Sequence, residues 1–161
     1  MKTPMNVFNT AMKKKKKNRK GFSLVELIVV LVIMAILAAA LVPTLIGYIN
    51  QTRQSNAKNE AAQCVSAAQT IISSAYANPD GKYINNTDAG SDITISDFST
   101  EYTFSEADMV VTEKLAEVTS GAADTGITEI KTQGGVVTEL KYTADNGESI
   151  TYTKGSGYAV D

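Results

Sequence analysis

GFSLVELIVVLVIMAILAAALVP, Gly21 to Pro43, governs what kind of molecule this chain can be. Every residue from Leu27 to Val42 is apolar, and the 23 residues from Leu27 to Ile49 carry no charge. At about 1.5 Å per helical residue such a run crosses a hydrocarbon core of about 30 Å. One residue resists that reading. Glu26 heads the run, and a charge costs several kcal/mol at the centre of a bilayer and less near its edge. It needs a partner.

Upstream, residues 1–21 hold eight of the 15 basic residues, among them the five lysines Lys13 to Lys17, and no acidic one. The rest of the chain keeps seven basic residues against 17 acidic, a net of −10. The two parts are separate electrostatic objects. The positive-inside rule keeps the basic N-terminus cytoplasmic and sends everything after Ile49 across the membrane. Direct nucleic-acid binding by the acidic body is disfavoured, since phosphate contacts need clustered Lys and Arg. A competing reading is a conventional secretory signal with its cleavage site at Ala38-Ala39-Ala40, which leaves Leu41 as the new N-terminus. Helical patterning that continues past Pro43 opposes it.

The combination Gly21-Phe22-Ser23-Leu24-Val25-Glu26, then the apolar run and Pro43, resembles the class III signal of type IV pilins and pseudopilins. In that family a prepilin peptidase cuts after the glycine and usually N-methylates the new terminus. The resemblance therefore implies cleavage between Gly21 and Phe22, with residues 1–21 as a basic leader. It also implies a glutamate five residues into the mature chain and often a proline twenty-two residues in. Counted from Phe22, these are Glu26 and Pro43. The resemblance covers about Lys13 to Gln54.

Elementary physics supports each part. Gly21 offers a protease unhindered backbone. A mature Phe22 carries an ammonium group about one helical turn from Glu26. Within one chain Glu26 also answers the helix dipole. Between chains the resemblance implies that it neutralises a neighbour's Phe22 ammonium, and a buried charge is tolerable only when paired. Pro43 removes a helical hydrogen bond, and with Gly47 it makes Ala39 to Gly47 a weak spot where a kink is expected.

Residues 51–77 read as an amphipathic continuation of the helix. Its apolar side is Ala57, Ala61, Cys64, Val65, Ala68, Ile71, Ile72, Ala75 and Tyr76, and its polar side includes Arg53, Glu60 and Gln69. Asn78-Pro79-Asp80-Gly81 stops it. Residues 78–104 look like a long polar loop with a short strand near Ile93 to Ile95; its Asn85-Asn86-Thr87 is a weak sequon, and Asp88, Asp92 and Asp97 lack calcium-loop spacing. Ser105 to Asp108 resembles a capping box opening a short helix over 105–120, with Met109, Val110, Leu115 and Val118 inward. Beyond Gly126 the period becomes two. Ile127–Thr132, Val136–Thr143 and Glu148–Thr153 form a meander over 126–160 with turns at Gly134-Gly135 and Asp145-Asn146-Gly147, and Tyr158–Val160 is expected to add an edge strand. Val136, Leu140 and Tyr142 are expected on one face, as are Ile150 and Tyr152.

The expected fold class is α+β: a long N-terminal helix, half transmembrane and half amphipathic, packed on a small antiparallel sheet. The divisions are 1–21, 22–50 and 51–161. One cysteine and no histidine exclude an intramolecular disulfide, a Cys/His zinc site and a histidine-based triad. Glu113 and Glu117 read as solubilising. No cofactor, metal or catalytic set is expected. The resemblance implies a structural subunit held in the cytoplasmic membrane and then drawn into a helical surface filament of identical chains. Its implied partners are a prepilin peptidase, an assembly ATPase and a platform membrane protein. A pseudopilin or minor pilin of a secretion or DNA-uptake machine is the alternative. The lack of a disulfide near the C-terminus, unlike many pilins of double-membrane bacteria, points to a single-membrane host or a pseudopilin, while the 140 residues after Gly21 favour a full pilin. A non-polymerising anchored or secreted protein is the second alternative.

Overall fold

The computed structural model describes residues 21–84, 92–118 and 124–161. Helix α1 runs from Leu24 to Ala77. It starts where the Ser23 carbonyl accepts a hydrogen bond from Leu27 N at 3.2 Å, and serine is a favoured residue at such a boundary. It ends at the expected stop. Asn78 donates from its side chain to the Lys82 carbonyl at 2.8 Å, and Gly81 adopts φ +61°. A Cβ at Gly81 would collide with the Ile95 carbonyl oxygen, so this turn admits only glycine without strain.

Short strands and a second helix follow in the order β1 (Lys82–Tyr83), β2 (Ile93–Thr94), β3 (Tyr102–Thr103), α2 (Glu106–Ala116), β4 (Gly126–Gln133), β5 (Val136–Thr143), β6 (Ser149–Thr153) and β7 (Gly157–Val160). The meander is thus present, edge strand included. Strands β3 to β7 make one antiparallel sheet in chain order, and β1 and β2 pair as a separate ribbon. The region expected to be a loop supplies three two-residue strands instead of one. A Lys82–Asp92 ion pair of 2.6 Å clasps the first two. The Asn85 sequon and Asp88 lie outside the described residues.

Two compact units divide after Thr44. In the first, Leu24 to Thr44 is helical and wholly exposed. In the second, one core joins α1 to the sheet, with Ile71, Ile72, Ile130, Leu140 and Ile150 all fully buried. Each such side chain contributes about 1.5–3 kcal/mol relative to exposure. Cys64 lies in this core, as its place on the stripe predicts. Tyr76 does not. It is 71% exposed and packs edge-to-face on Phe98 at 5.2 Å, while Ala67, unassigned in the sequence reading, is buried.

Helix α2 also turns differently. Ser105 caps it through a reciprocal box with Asp108, whose carboxylate further accepts from Tyr102 Oη at 3.1 Å. That tie draws Asp108 inward, and the phase carries Val111, Thr112 and Ala116 in with it. Val110 is left 42% exposed, and Met109, Leu115 and Val118 are only half-buried. The helix closes at Ala116 with Glu117 in the left-handed region at φ 56°, earlier than expected.

The sheet contains a second correction. Gly134 and Gly135, at φ +62° and +75°, make the tight turn between β4 and β5. Past it the register slips: Thr132 faces Val137, but Lys131 faces Glu139, leaving Thr138 as a bulge. One extra residue reverses the alternation. Val137, Leu140 and Tyr142 are therefore the buried set, and Val136 is only half-buried. A like irregularity between Ile127 and Glu129 accounts for Ile127 and Ile130 both facing inward.

Candidate processing and assembly site

Gly21, Phe22 and Ser23 precede the helix and are exposed, and nothing crowds the space a Cβ would take at Gly21. The Gly21–Phe22 bond therefore sits in open, non-helical backbone, which a protease needs. Phe22 is 78% exposed. Glu26 follows in the first turn of α1, where unpaired N–H groups favour an acid. Ser23 stands at the boundary, its carbonyl accepting the first helical hydrogen bond from Leu27 N.

Beyond Glu26, α1 presents Leu27 to Ile49 to its surroundings with no side chain buried. The mean hydropathy of its most apolar 18-residue window is 3.1. Soluble monomers rarely leave so large a continuous apolar surface in water. The surface therefore needs lipid or protein around it. Helical backbone continues through Pro43 and Gly47, so the weak spot is not melted in this state. A Cβ at Gly47 would meet nothing within 4 Å, so the glycine makes no room for a neighbour within the chain.

The lower half of α1 is fixed by polar contacts that its exposed-face pattern concealed. Gln69 donates to the Gly135 carbonyl at 2.9 Å and accepts from Val137 N at 3.1 Å. Glu60 accepts from Tyr142 Oη at 2.9 Å, and Asn146 donates to the Arg53 carbonyl at 3.2 Å. Glu113, expected to be merely solubilising, accepts from Ile127 N and ties α2 to β4. On the sheet's other face Lys131 and Lys141 alternate with Glu129 and Glu139 at 2.6–3.5 Å. Hydrogen bonds from Lys141 and then Lys131 hold the Glu129 carboxyl below its ordinary range.

Chemically, these groups build structure. Burial, with Glu113 and Glu60 nearby, pushes the Cys64 thiol up to about 12, so the nucleophilic thiolate is suppressed. Burial and then Glu60 raise Tyr142 as well. Among the described residues no three His, Cys, Asp or Glu side chains are grouped to hold a metal. Asp97 is bound to Ser99 N and Oγ, at 2.8 and 2.6 Å.

Residues 16–42 match the family model described as the prokaryotic N-terminal methylation motif. No curated protein and no solved structure matched the chain. The matched segment contains Gly21, Phe22 and Glu26 and ends one residue before Pro43. The chain therefore carries the N-terminal methylation motif, the class III signal of type IV pilins, at the head of a long apolar helix on a pilin-like α+β architecture.

Proposed function

We propose that this chain is the structural subunit of a type IV pilus or pilus-like filament, polymerising through its N-terminal apolar helix. The observation that carries the reading is the unburied apolar surface from Leu27 to Ile49, headed by Glu26. Residues 22–50 serve as the membrane and assembly helix, and residues 51–161 as the head outside the cytoplasmic membrane. Prepilin peptidase cuts after Gly21 and methylates Phe22. Before assembly, lipid covers the apolar surface; afterwards, identical helices do. Glu26 then pairs with the Phe22 ammonium of a neighbouring copy, because an unpaired carboxylate inside a dry bundle is strongly unfavourable. The pairing fixes the axial register between copies. Pro43 and Gly47 supply the helix's bend and its extensible segment. An assembly ATPase and a platform membrane protein drive extraction from the membrane.

Mass analysis of the mature N-terminus tests the first step. Free or methylated Phe22 is expected, and Leu41 would sink the reading in favour of an ordinary signal peptide. For the second step, Glu26→Ala is expected to be processed normally yet to lose filaments. Normal filaments from that variant refute the pairing role. Long surface fibres separate a pilus subunit from a pseudopilin of a secretion or DNA-uptake machine.

A further inference from the structure

The charge that remains after the leader is unevenly placed. Between Glu26 and Glu60 the only charged residues are Arg53 and Lys58, so this collar of α1 is purely basic. From Glu60 to Asp161 there are 16 acidic residues against five basic ones. Arg53 is exposed and Lys58 half-exposed. The Arg53 backbone carbonyl accepts a hydrogen bond from the Asn146 side chain.

A matching surface lies on α2. A groove of about 380 Å³ runs between α2 and the start of β4, lined by Glu106, Met109, Val110, Glu113, Asp124 and Ile127 among others. Glu113 is engaged with Ile127 N, but Glu106 and Asp124 are both exposed on its rim. On the same groove Val110 keeps 42% of its surface in solvent, against the phase its apolar character predicts. Carboxylates around an apolar floor suit a side chain with an aliphatic stem and a cationic head. Arginine and lysine are the side chains of that kind.

We propose that this groove receives the Arg53–Lys58 collar of a second copy of the chain. The inference rests on the polymerising reading above. The C-terminal end of α2, Leu115 to Glu117, lines a second groove with Gln63, Ser66, Ala67 and Thr70 of α1, so parallel copies shifted along the helix axis bring one collar toward the next copy's α2. Such contacts give register and specificity between heads that otherwise repel.

Charge reversal in the full mature chain tests this. Arg53→Glu with Lys58→Glu, and separately Glu106→Lys with Asp124→Lys, should each raise the concentration needed for assembly about tenfold or more. All four changes together should restore assembly to within a few-fold of wild type. Far-UV circular dichroism melts check that every variant folds. Failure of the fourfold variant to recover, or normal assembly of either twofold variant, overturns the inference. So does a collar variant that assembles normally but no longer binds phosphatidylglycerol vesicles, since lipid is then the occupant. If the wild-type chain makes no filaments, the polymerising reading itself falls. Pairwise association of the detergent-solubilised chain, read by ultracentrifugation across the same variants, then decides the contact separately.

Discussion

Tyr142 Oη donates to the Glu60 carboxylate across 2.9 Å, joining the middle strand of the sheet to the long helix one turn before Cys64. Tyr142 is 2% exposed and Glu60 half-buried, so the bond lies at the edge of the core. It locks the helix to the sheet at the point where the core begins.

Removing it has two consequences. Tyr142→Phe is expected to lower unfolding stability by about 1–3 kcal/mol, because a charge-assisted bond is lost and a carboxylate is left half-buried. The pH dependence is also fixed in sign. Both Tyr142 and Tyr102 are raised above the ordinary phenol, Tyr102 to about 12, by burial first and then by Glu60 and Asp108 respectively. The folded chain thus holds these protons more tightly than the unfolded chain. Their contribution is complete below pH about 10 and is lost as pH rises toward the folded values. Thermal melts from about pH 9 to about pH 12 should fall more steeply for wild type than for Tyr142→Phe.

Gln69 uses both ends of its amide on the β4–β5 turn. Gln69→Ala should cost about 1–3 kcal/mol in chemical denaturation, since two backbone groups lose their partner. Gln69→Glu should cost at least as much. It keeps an acceptor for Val137 N but turns an oxygen toward the Gly135 carbonyl in place of the donor.

The Thr138 bulge makes neighbouring valines unequal. Val137→Ala should destabilise by about 1–3 kcal/mol through lost burial and a residual cavity, whereas Val136→Ala should cost less than about 1 kcal/mol. Equal losses, or the reverse order, would show that the strand keeps simple alternation.

Cys64 should resist alkylation while the chain is folded. Its thiol is fully buried and its pKa is raised to about 12, which suppresses thiolate at neutral pH. Mass spectrometry after iodoacetamide at about pH 8 should find it unlabelled in the native chain and labelled in denaturant. Rapid native labelling would contradict its place in the core.

The elements themselves were legible in the residues. The apolar run from Leu27, the stop at Asn78 to Gly81, the Ser105–Asp108 box and the two glycine-bearing turns are local signals. Each acts through backbone freedom, capping or desolvation within a few residues. The Gly21, Phe22 and Glu26 spacing was equally visible, because it is a one-dimensional pattern.

What escaped the sequence depended on contacts distant along the chain. Strand β3 cannot be read from Tyr102 and Thr103 alone, because two residues have no period. It exists because Thr132 and Lys131 of β4 pair with them. The exposed Tyr76 and Val110, and the buried Val137, likewise follow from how α1, α2 and β5 are held by Phe98, Asp108 and the Thr138 bulge.

A basic leader-like head, an apolar helix with one acid at its start and a β-rich end are all written along the chain, because desolvation and backbone preference act locally. Which faces are buried, and which polar groups carry the packing, depends on the assembled core. Glu60, Gln69 and Glu113 look like solvated residues along the chain. They become anchors because folding brings Tyr142, Gly135, Val137 and Ile127 within hydrogen-bonding reach, and a buried backbone group left without a partner is costly.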